Sequence, residues 1–420
     1  MRVAGSVQVP GDKSITHRVL LLSALAPGIS RIRGALTSLD ARSTARVLRQ
    51  LGAKLSPLRA GRVTQVEGTR EFRGPAARLD CGNSGTTARL LLGLLSAHHF
   101  AATLTGDGSL RQRPMRRVTV PLSAMGARFT EADGDGLPLT VEGGTLHPLR
   151  YEMPVSSAQI KSAILLAGMA GGVEVTLREP HGRSRDHTER LLRSLGYDVV
   201  EEDGWICFRP TGRLEPFEVE VPGDPSSAAF LVGAALLAER GELHISGVGV
   251  NPTRVKFLDV LARMGARVRV EHNSERFGEP VGDLVAVPRE LRATEILAEE
   301  IPGLIDEIPL LAVVAARAQG TTVFRQVGEL RVKESDRLGL IAENLRSVGI
   351  EAAVEGDDLI VEGAESAPQG NVRTAADHRL AMAFAVLGTV PGARIRIDDM
   401  ACAAVSFPNF NETLRRIRHR

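Results

Sequence analysis

Aromatic residues are scarce. Tryptophan occurs once and tyrosine twice, and the three aromatic types together make up 4% of the 420 residues. With a formal net charge of only +2, that scarcity excludes a broad basic face with stacking platforms for nucleic acid. Any anion site must be local. Cysteine is rare as well: Cys81, Cys207 and Cys402 are too few and too scattered for a disulfide framework or a thiolate metal site, so a reducing cytoplasm is the expected location. No uncharged apolar run approaches the ~20 residues that span a bilayer, and the first residues run into Gln8-Val9-Pro10-Gly11 without a basic region followed by an apolar stretch. Neither membrane insertion nor export is expected. Lysine is also short, since Lys13, Lys54, Lys161, Lys256 and Lys333 stand against 47 arginines among 52 basic residues. Base composition or thermal adaptation accounts for the bias. Where lysine persists, a compact mobile ammonium is a candidate need, and that draws attention to Lys13 and Lys333.

What the chain does have is enough apolar material, 43% of its length, for two cores rather than one. It also repeats itself at roughly 70 residues, longer than the familiar solenoid periods. Each unit has a Ser/Thr-rich start, an apolar helix, a β-branched strand, a charged amphipathic helix closed by an apolar-Gly-apolar turn, and further strand. Units begin at Ser14, Gly85, Ser156, Ser226, Ile308 and Asp377, and the closing turns are centred on Gly52, Gly126, Gly196, Gly265 and Gly349. The sixth copy is truncated or circularly completed, because its last helix, 409 to 418, ends the chain. The glycines fit helix stops and the hydroxyl residues fit amino-terminal caps. Several of the starts also carry Lys, Arg, Asn or Gln, and helix amino termini attract phosphates and carboxylates.

Gly11-Asp12-Lys13-Ser14-Ile15-Thr16-His17-Arg18 sets two cations about a turn apart beside free amides, an anion site without the spacing of a Walker loop. Leu79 to Arg89 is a Gly-rich turn opening a helix, where backbone amides can approach a ligand closely. Gly106 to Met115 is a loop with Arg111 and Arg113 ahead of Pro114, which suits a helix start. Ser156-Ser157-Ala158-Gln159 offers neutral donors at another start. Arg183 to Arg190 is a charged helix start. Lys333 and Arg337 are spaced to stack on one helical face with Glu334 adjacent, so a carboxyl group sits among cations. Asp306 before an apolar helix, and Asp377-His378-Arg379, read as caps or as site residues. Arg415 to Arg420 reads as a solvated helix end, where cations are favoured.

Gly-Asp-Lys-Ser at 11 to 14, Gly-Asn-Ser-Gly-Thr at 82 to 86, Gln-Arg-Pro at 112 to 114, Arg-Val-Lys-Glu-Ser-Asp-Arg at 331 to 337 and Asp-His-Arg at 377 to 379 occur in one order across nearly the whole chain. Together they resemble the 3-phosphoshikimate 1-carboxyvinyltransferase (5-enolpyruvylshikimate-3-phosphate synthase) family. The resemblance implies a two-domain inside-out α/β barrel of six βαβαββ-like repeats, three per domain, with helix starts converging on an interdomain cleft that closes on its ligands. It sets one domain at 12–223 and the other at 1–11 with 224–420. It implies transfer of the enolpyruvyl group of phosphoenolpyruvate to the 5-hydroxyl of shikimate 3-phosphate, in the route to chorismate and the aromatic amino acids, by a cytoplasmic monomer without cofactor or metal.

By the same resemblance, Lys13, Ser14, Arg18, Ser157, Ala158, Gln159, Arg185, Asp306 and Lys333 hold shikimate 3-phosphate. Lys13, Asn83, Gly85, Arg113, Gln159, Arg337, His378 and Arg379 hold phosphoenolpyruvate. Glu334 is the proton donor to the methylene carbon, Asp306 the base toward the hydroxyl, and Lys13 the stabiliser of departing phosphate. The chain departs from the family in carrying Val405 where some members have lysine before Ser406-Phe407-Pro408, and in lacking a tyrosine in Glu179-Pro180-His181-Gly182. Gly85 keeps the small residue associated with glyphosate sensitivity. Two other readings share the architecture. A UDP-N-acetylglucosamine enolpyruvyl transferase normally has Lys-Asn after the first glycine turn and a cysteine in the flexible loop, where this chain has Lys13-Ser14 and no cysteine between Gly106 and Arg113. A noncatalytic anion- or RNA-binding repeat protein would not need Asp306 and Glu334.

Overall fold

The structure, a computed structural model, describes residues 1–131, 134–180 and 183–419. His181 and Gly182, which bear on the missing tyrosine, and Arg420 of the basic tail lie outside the described residues. The chain forms two compact units: 11–221 with 275–279, and 1–10 with 222–274 and 280–420. Each has its own buried apolar cluster. The short segment 275–279 thus belongs with 11–221 although it interrupts the chain of the other unit. No described helix is long and apolar enough to cross a membrane.

In the unit of residues 11–221 the first helix of each repeat is Lys13–Leu25, Gly85–Leu95 or Ala158–Gly171. These helices are mostly apolar and buried on every side, with most of their polar residues near the amino-terminal ends, and such helices are stable only inside a core. Ile15 through Leu25 are buried without interruption, and the second and third of these helices pack against each other. The second helix of a repeat has a different pattern. In Leu39–Gln50, exposed residues fall at 39, 42, 46, 49 and 50, the spacing of one wet face. The glycines that close the five second helices have φ between +84° at Gly349 and +115° at Gly126, where a side chain would strain the backbone.

Every full repeat builds a four-stranded sheet in one order. In the second repeat Leu79–Asp80 lies parallel to Ala101–Thr105, which pairs antiparallel with Leu139–Glu142, and that strand pairs antiparallel with Arg128–Glu131. The third repeats the order with Leu149–Glu152, Val175–Arg178, Trp205–Arg209 and Asp198–Glu202. The first repeat takes its leading strand, Glu218–Glu220, from the far end of the unit, parallel to Gly28–Arg33. Gly11, where the chain enters this unit, sits so near the same place that an added Cβ would lie 1.9 Å from the Gly34 carbonyl oxygen.

The other unit obeys the same rule. Gly5–Val7 supplies the leading strand of the fourth repeat, parallel to Leu243–Gly249. The fifth sheet is Glu295–Ile296, Thr321–Phe324, Asp358–Glu362 and Ala352–Glu355. The sixth repeat has the parallel pair Gln369–Val372 and Arg394–Ile397. Its final helix is Phe410–Arg416, shorter than the expected 409 to 418, because residues 418 and 419 turn into a strand that pairs antiparallel with Arg2–Val3. The amino terminus therefore completes the last repeat, and the six expected repeats are present as α/β units.

A buried polar chain ties together three helices of the unit of residues 11–221. His17 Nδ1 lies 2.7 Å from Thr44 Oγ1, which is 2.6 Å from Thr87 Oγ1, and Thr87 donates to Ser84 Oγ at 2.7 Å. Desolvation, followed by the charges of Lys13 and Arg18, pushes His17 down to a pKa of about 3. Unfolded His17 takes up a proton below about pH 6.5, whereas the folded residue stays neutral until about pH 3. Its contribution is full above the unfolded value and is lost as pH falls through the interval, by at most about 1.4 kcal/mol per pH unit. We expect His17→Asn to lower the melting temperature at neutral pH but to flatten its decline between pH 6.5 and 4. A variant whose melting temperature falls as steeply as the parent's would contradict this.

Candidate active site

In the unit of residues 11–221 the candidate residues gather at the starts of the three apolar helices. Asp12 caps the first, its Oδ1 accepting from the Ile15 amide at 2.8 Å, and so leaves Lys13, Ser14 and Arg18 to face other elements. Lys13 is ion-paired with buried Asp40. Arg18 is 2% exposed. It donates from Nε to Thr188 Oγ1 at 2.7 Å, from Nη1 to the Ser14 carbonyl at 2.8 Å and from Nη2 to Ser162 Oγ at 2.7 Å. Burial pushes its guanidinium down to about 10, and Glu189 leads the opposing influences. Arg185 stands in the loop before the helix His187–Ser194, with Nη1 3.5 Å from Ser14 Oγ. Ser14, Arg18 and Arg185 are thereby brought together from residues up to 171 apart. That makes a compact cationic seat with a hydroxyl, suited to a phosphate.

The second group lies around the start of Gly85–Leu95. Ser84 caps this helix through the Thr87 amide, and Gly82 at φ +61° makes the preceding turn. Asn83 bridges two partners, donating to Asp107 Oδ2 at 2.7 Å and accepting from Arg113 Nη2 at 2.7 Å. A Cβ on Gly85 would lie 3.3 Å from both Arg113 Nη1 and Arg89 Nη1. Gln159, from the third helix start, bonds to Arg89 and donates to Thr86 Oγ1 at 3.0 Å. Ser157 occupies the cap position of Ala158–Gly171, but its hydroxyl makes no capping bond. The fit of hydroxyl residues to amino-terminal caps fails at this position. Asn83, Gly85, Arg113 and Gln159 thus form one polar cluster, with Arg89 in its middle.

In the other unit the candidates meet on one guanidinium. Arg337 is fully buried and its Nε donates to Asp377 Oδ2 at 2.7 Å. Its Nη1 is 3.5 Å from Asp306 Oδ1 and its Nη2 2.5 Å from Glu334 Oε2. Desolvation opposes the charge, but Asp377, Glu334 and Asp306 together hold Arg337 above the usual arginine range. The same guanidinium holds Asp377 below its usual value against desolvation. Arg379 also reaches Asp306, with Nη2 3.3 Å from Oδ2 and Nη1 donating to the backbone carbonyl at 2.9 Å. His378 is buried at the first position of the helix His378–Leu387, whose cap, Asp377, accepts from the Arg379 amide at 2.9 Å.

Two local expectations change here. Lys333 and Glu334 do not share a helical face with Arg337, because Asp336 caps a helix that begins only at Arg337, and Lys333 ends a short 3-10 turn, Gly328–Val332. Glu334 reaches Arg337 from an irregular segment instead. Asp306 is not a cap either, since Glu307 occupies that position before Ile308–Ala315. Asp306 is free of that role and turns to the arginines. Lys333 Nζ lies 3.8 Å from Glu329. Desolvation holds its ammonium below the usual lysine value, with Glu329 and Asp306 opposing and Arg337 adding to the shift.

The sequence alone missed five partners: Asp40 for Lys13, Arg89 for Gln159, Ser162 and Thr188 for Arg18, and Asp377 as the main anchor of Arg337. Arg89 carried a usable signal, standing one helical turn after Gly85. Asp377 stood in a marked motif, but its pairing with Arg337, like the remaining pairs, joins residues far apart in sequence and carried no signal.

A family model for EPSP synthase (3-phosphoshikimate 1-carboxyvinyltransferase) matches residues 1–414. The 3-phosphoshikimate 1-carboxyvinyltransferase of Desulfitobacterium hafniense is 45% identical over 417 residues, covering 99% of this chain and 96% of the relative. That of Paramagnetospirillum magneticum is 47% identical over 421 residues, covering 98% and 94%. Among solved structures, EPSP synthase from Acinetobacter baumannii superposes with a TM-score of 0.87 at 38% identity, over 99% of this chain and 96% of that one. With this match running through every repeat and through all three groups of candidate residues, the chain belongs to the EPSP synthase (3-phosphoshikimate 1-carboxyvinyltransferase) family.

Proposed function

We propose that this chain transfers the enolpyruvyl group of phosphoenolpyruvate to the 5-hydroxyl of shikimate 3-phosphate, releasing phosphate. It is a transferase of the shikimate pathway. The observation that carries the geometric reading is that Arg337 holds both Asp306 and Glu334, so two carboxyl groups share one cationic environment while one can act as acid and the other as base.

Ser14, Arg18 and Arg185, with Ser157, Ala158, Gln159, Lys13, Lys333 and Asp306, take shikimate 3-phosphate. Arg113, Arg337 and Arg379, with Lys13, Asn83, Gly85, Gln159 and His378, take phosphoenolpyruvate. Arginine forks match carboxylate and phosphate oxygens in pairs, while the point charge of Lys13 can follow a leaving group. Glu334 delivers a proton to the methylene carbon of phosphoenolpyruvate. The acceptor's hydroxyl oxygen bonds to the adjacent carbon, and its proton passes to Asp306. Glu334, now a carboxylate, takes a proton back from the new methyl group, and phosphate leaves the tetrahedral intermediate beside Lys13 as the double bond is restored. Each step is a proton transfer or a carbon–oxygen bond change, so the sequence needs no redox cofactor. The chain acts as a monomer in the cytoplasm.

Phosphate release from phosphoenolpyruvate should depend on shikimate 3-phosphate. UDP-N-acetylglucosamine should not replace it, and turnover with that acceptor instead would transfer the chain to the rival activity. Binding of shikimate 3-phosphate without turnover would favour the noncatalytic reading.

Glu334→Gln should lower kcat by roughly 100-fold or more with a smaller change in either KM. An unaltered kcat would remove Glu334 from the proton step. Gly85→Ala should fold, because the atoms a Cβ meets are the ends of flexible arginines, yet it should raise KM for phosphoenolpyruvate by displacing Arg113. Glyphosate should compete with phosphoenolpyruvate in the parent and more weakly in this variant. Equal inhibition of both would disconnect Gly85 from that ligand.

A further inference from the structure

Beside the phosphate seat of residues 11–221 lies a buried ion cluster that the reaction does not use. Lys161, 1% exposed, extends its ammonium between Glu179 Oε2 at 2.9 Å and Glu189 Oε1 at 2.8 Å. The ammonium also donates to the Ser184 carbonyl at 3.3 Å, and Glu179 Oε2 accepts from the Ser184 amide at 3.2 Å. Ser184 is therefore gripped by both of its backbone groups, and the next residue is Arg185.

The other end of the cluster reaches Arg18. Ser162 follows Lys161 on one helix, and Thr188 precedes Glu189 on another. Thr188 Oγ1 accepts from Arg18 Nε and donates to Ser162 Oγ, both at 2.7 Å, while Ser162 Oγ accepts from Arg18 Nη2 at 2.7 Å. Each helix thus places one residue of an adjacent pair on the ion cluster and the other on Arg18. A buried ion set of this kind is weak evidence for stability, since well-packed apolar side chains often serve as well. It does fix directions, because each charge must meet its partners. Glu189 also opposes the desolvation that weakens the charge of Arg18.

We propose that Lys161, Glu179 and Glu189 are positioning residues for the phosphate of the acceptor: they set Arg18 through Ser162 and Thr188, and Arg185 through Ser184, without touching the ligand. The proposal rests on the assignment of Arg18 and Arg185 to shikimate 3-phosphate. Its test uses the full chain with Glu189→Gln, which keeps shape and removes charge, Lys161→Met, Lys161→Arg and, in parallel, Arg18→Gln. The dissociation constant for shikimate 3-phosphate is measured by titration calorimetry, KM for phosphoenolpyruvate by phosphate release, and folding by thermal melting.

Glu189→Gln and Lys161→Met should weaken shikimate 3-phosphate roughly tenfold or more, with KM for phosphoenolpyruvate changed by less than about twofold. Lys161→Arg, which keeps the charge, should lose less than Lys161→Met. If Lys161→Met does not fold, Glu189→Gln decides. A lower melting temperature with unchanged affinity for shikimate 3-phosphate, or parallel weakening of both substrates, overturns the proposal. Weakening in Arg18→Gln but not in Glu189→Gln overturns it while leaving the assignment of Arg18 in place. Unchanged affinity in Arg18→Gln sinks both.

Discussion

Keeping cations charged inside a protein is the constraint on which the rest of this structure depends. Arg18, Arg337 and Lys161 are at most 2% exposed, and an ion removed from water at that depth persists only among carboxylates and hydrogen-bond acceptors. Arg337 is held by Asp377, Glu334 and Asp306, Lys161 by Glu179 and Glu189, and Lys13 by Asp40. Arg18 has two hydroxyls and a carbonyl, with Glu189 as its main charge support. The buried cations are therefore held in fixed directions by the protein's own carboxylates and acceptors.

The repeats supply places where such sites can be built. An apolar first helix must be buried along its length, so only its ends remain for polar chemistry, and the amino-terminal end carries unpaired amides and a favourable dipole. Lys13, Gly85, Ala158 and His378 each stand at the first position of such a helix. The caps divide the work: Asp12, Ser84 and Asp377 satisfy amides of their own helices, whereas Ser157 does not. The same architecture explains why the amino terminus is structural. Its strands complete the fourth and sixth repeats.

Much of the fold was legible because it is written in local periodicity. Apolar helices, wet-faced second helices and their closing glycines recur at short range, and the positive φ at Gly52, Gly126, Gly196, Gly265 and Gly349 follows from helix stops that the sequence marks. The circular completion of the last repeat was only half visible, since a two-residue strand such as Arg418–His419 is too short to announce itself. At the candidate site, residue types and helix starts were legible while side-chain directions were not. Lys333, Glu334 and Arg337 have helical spacing, yet Asp336 caps a helix that excludes the first two.

By itself the sequence determined the six repeats, the helix starts that carry cations and hydroxyls, and the ordered motifs by which the family is identified. These depend on neighbours within a turn or two. The tertiary structure alone decided which charge meets which: Arg18 with Thr188 across 170 residues, Gln159 with Arg89 across 70, Arg337 with Asp377 across 40. Such pairs are chosen by how separate helices pack and by the cost of leaving any buried ion unmatched, and neither is encoded in spacing along the chain.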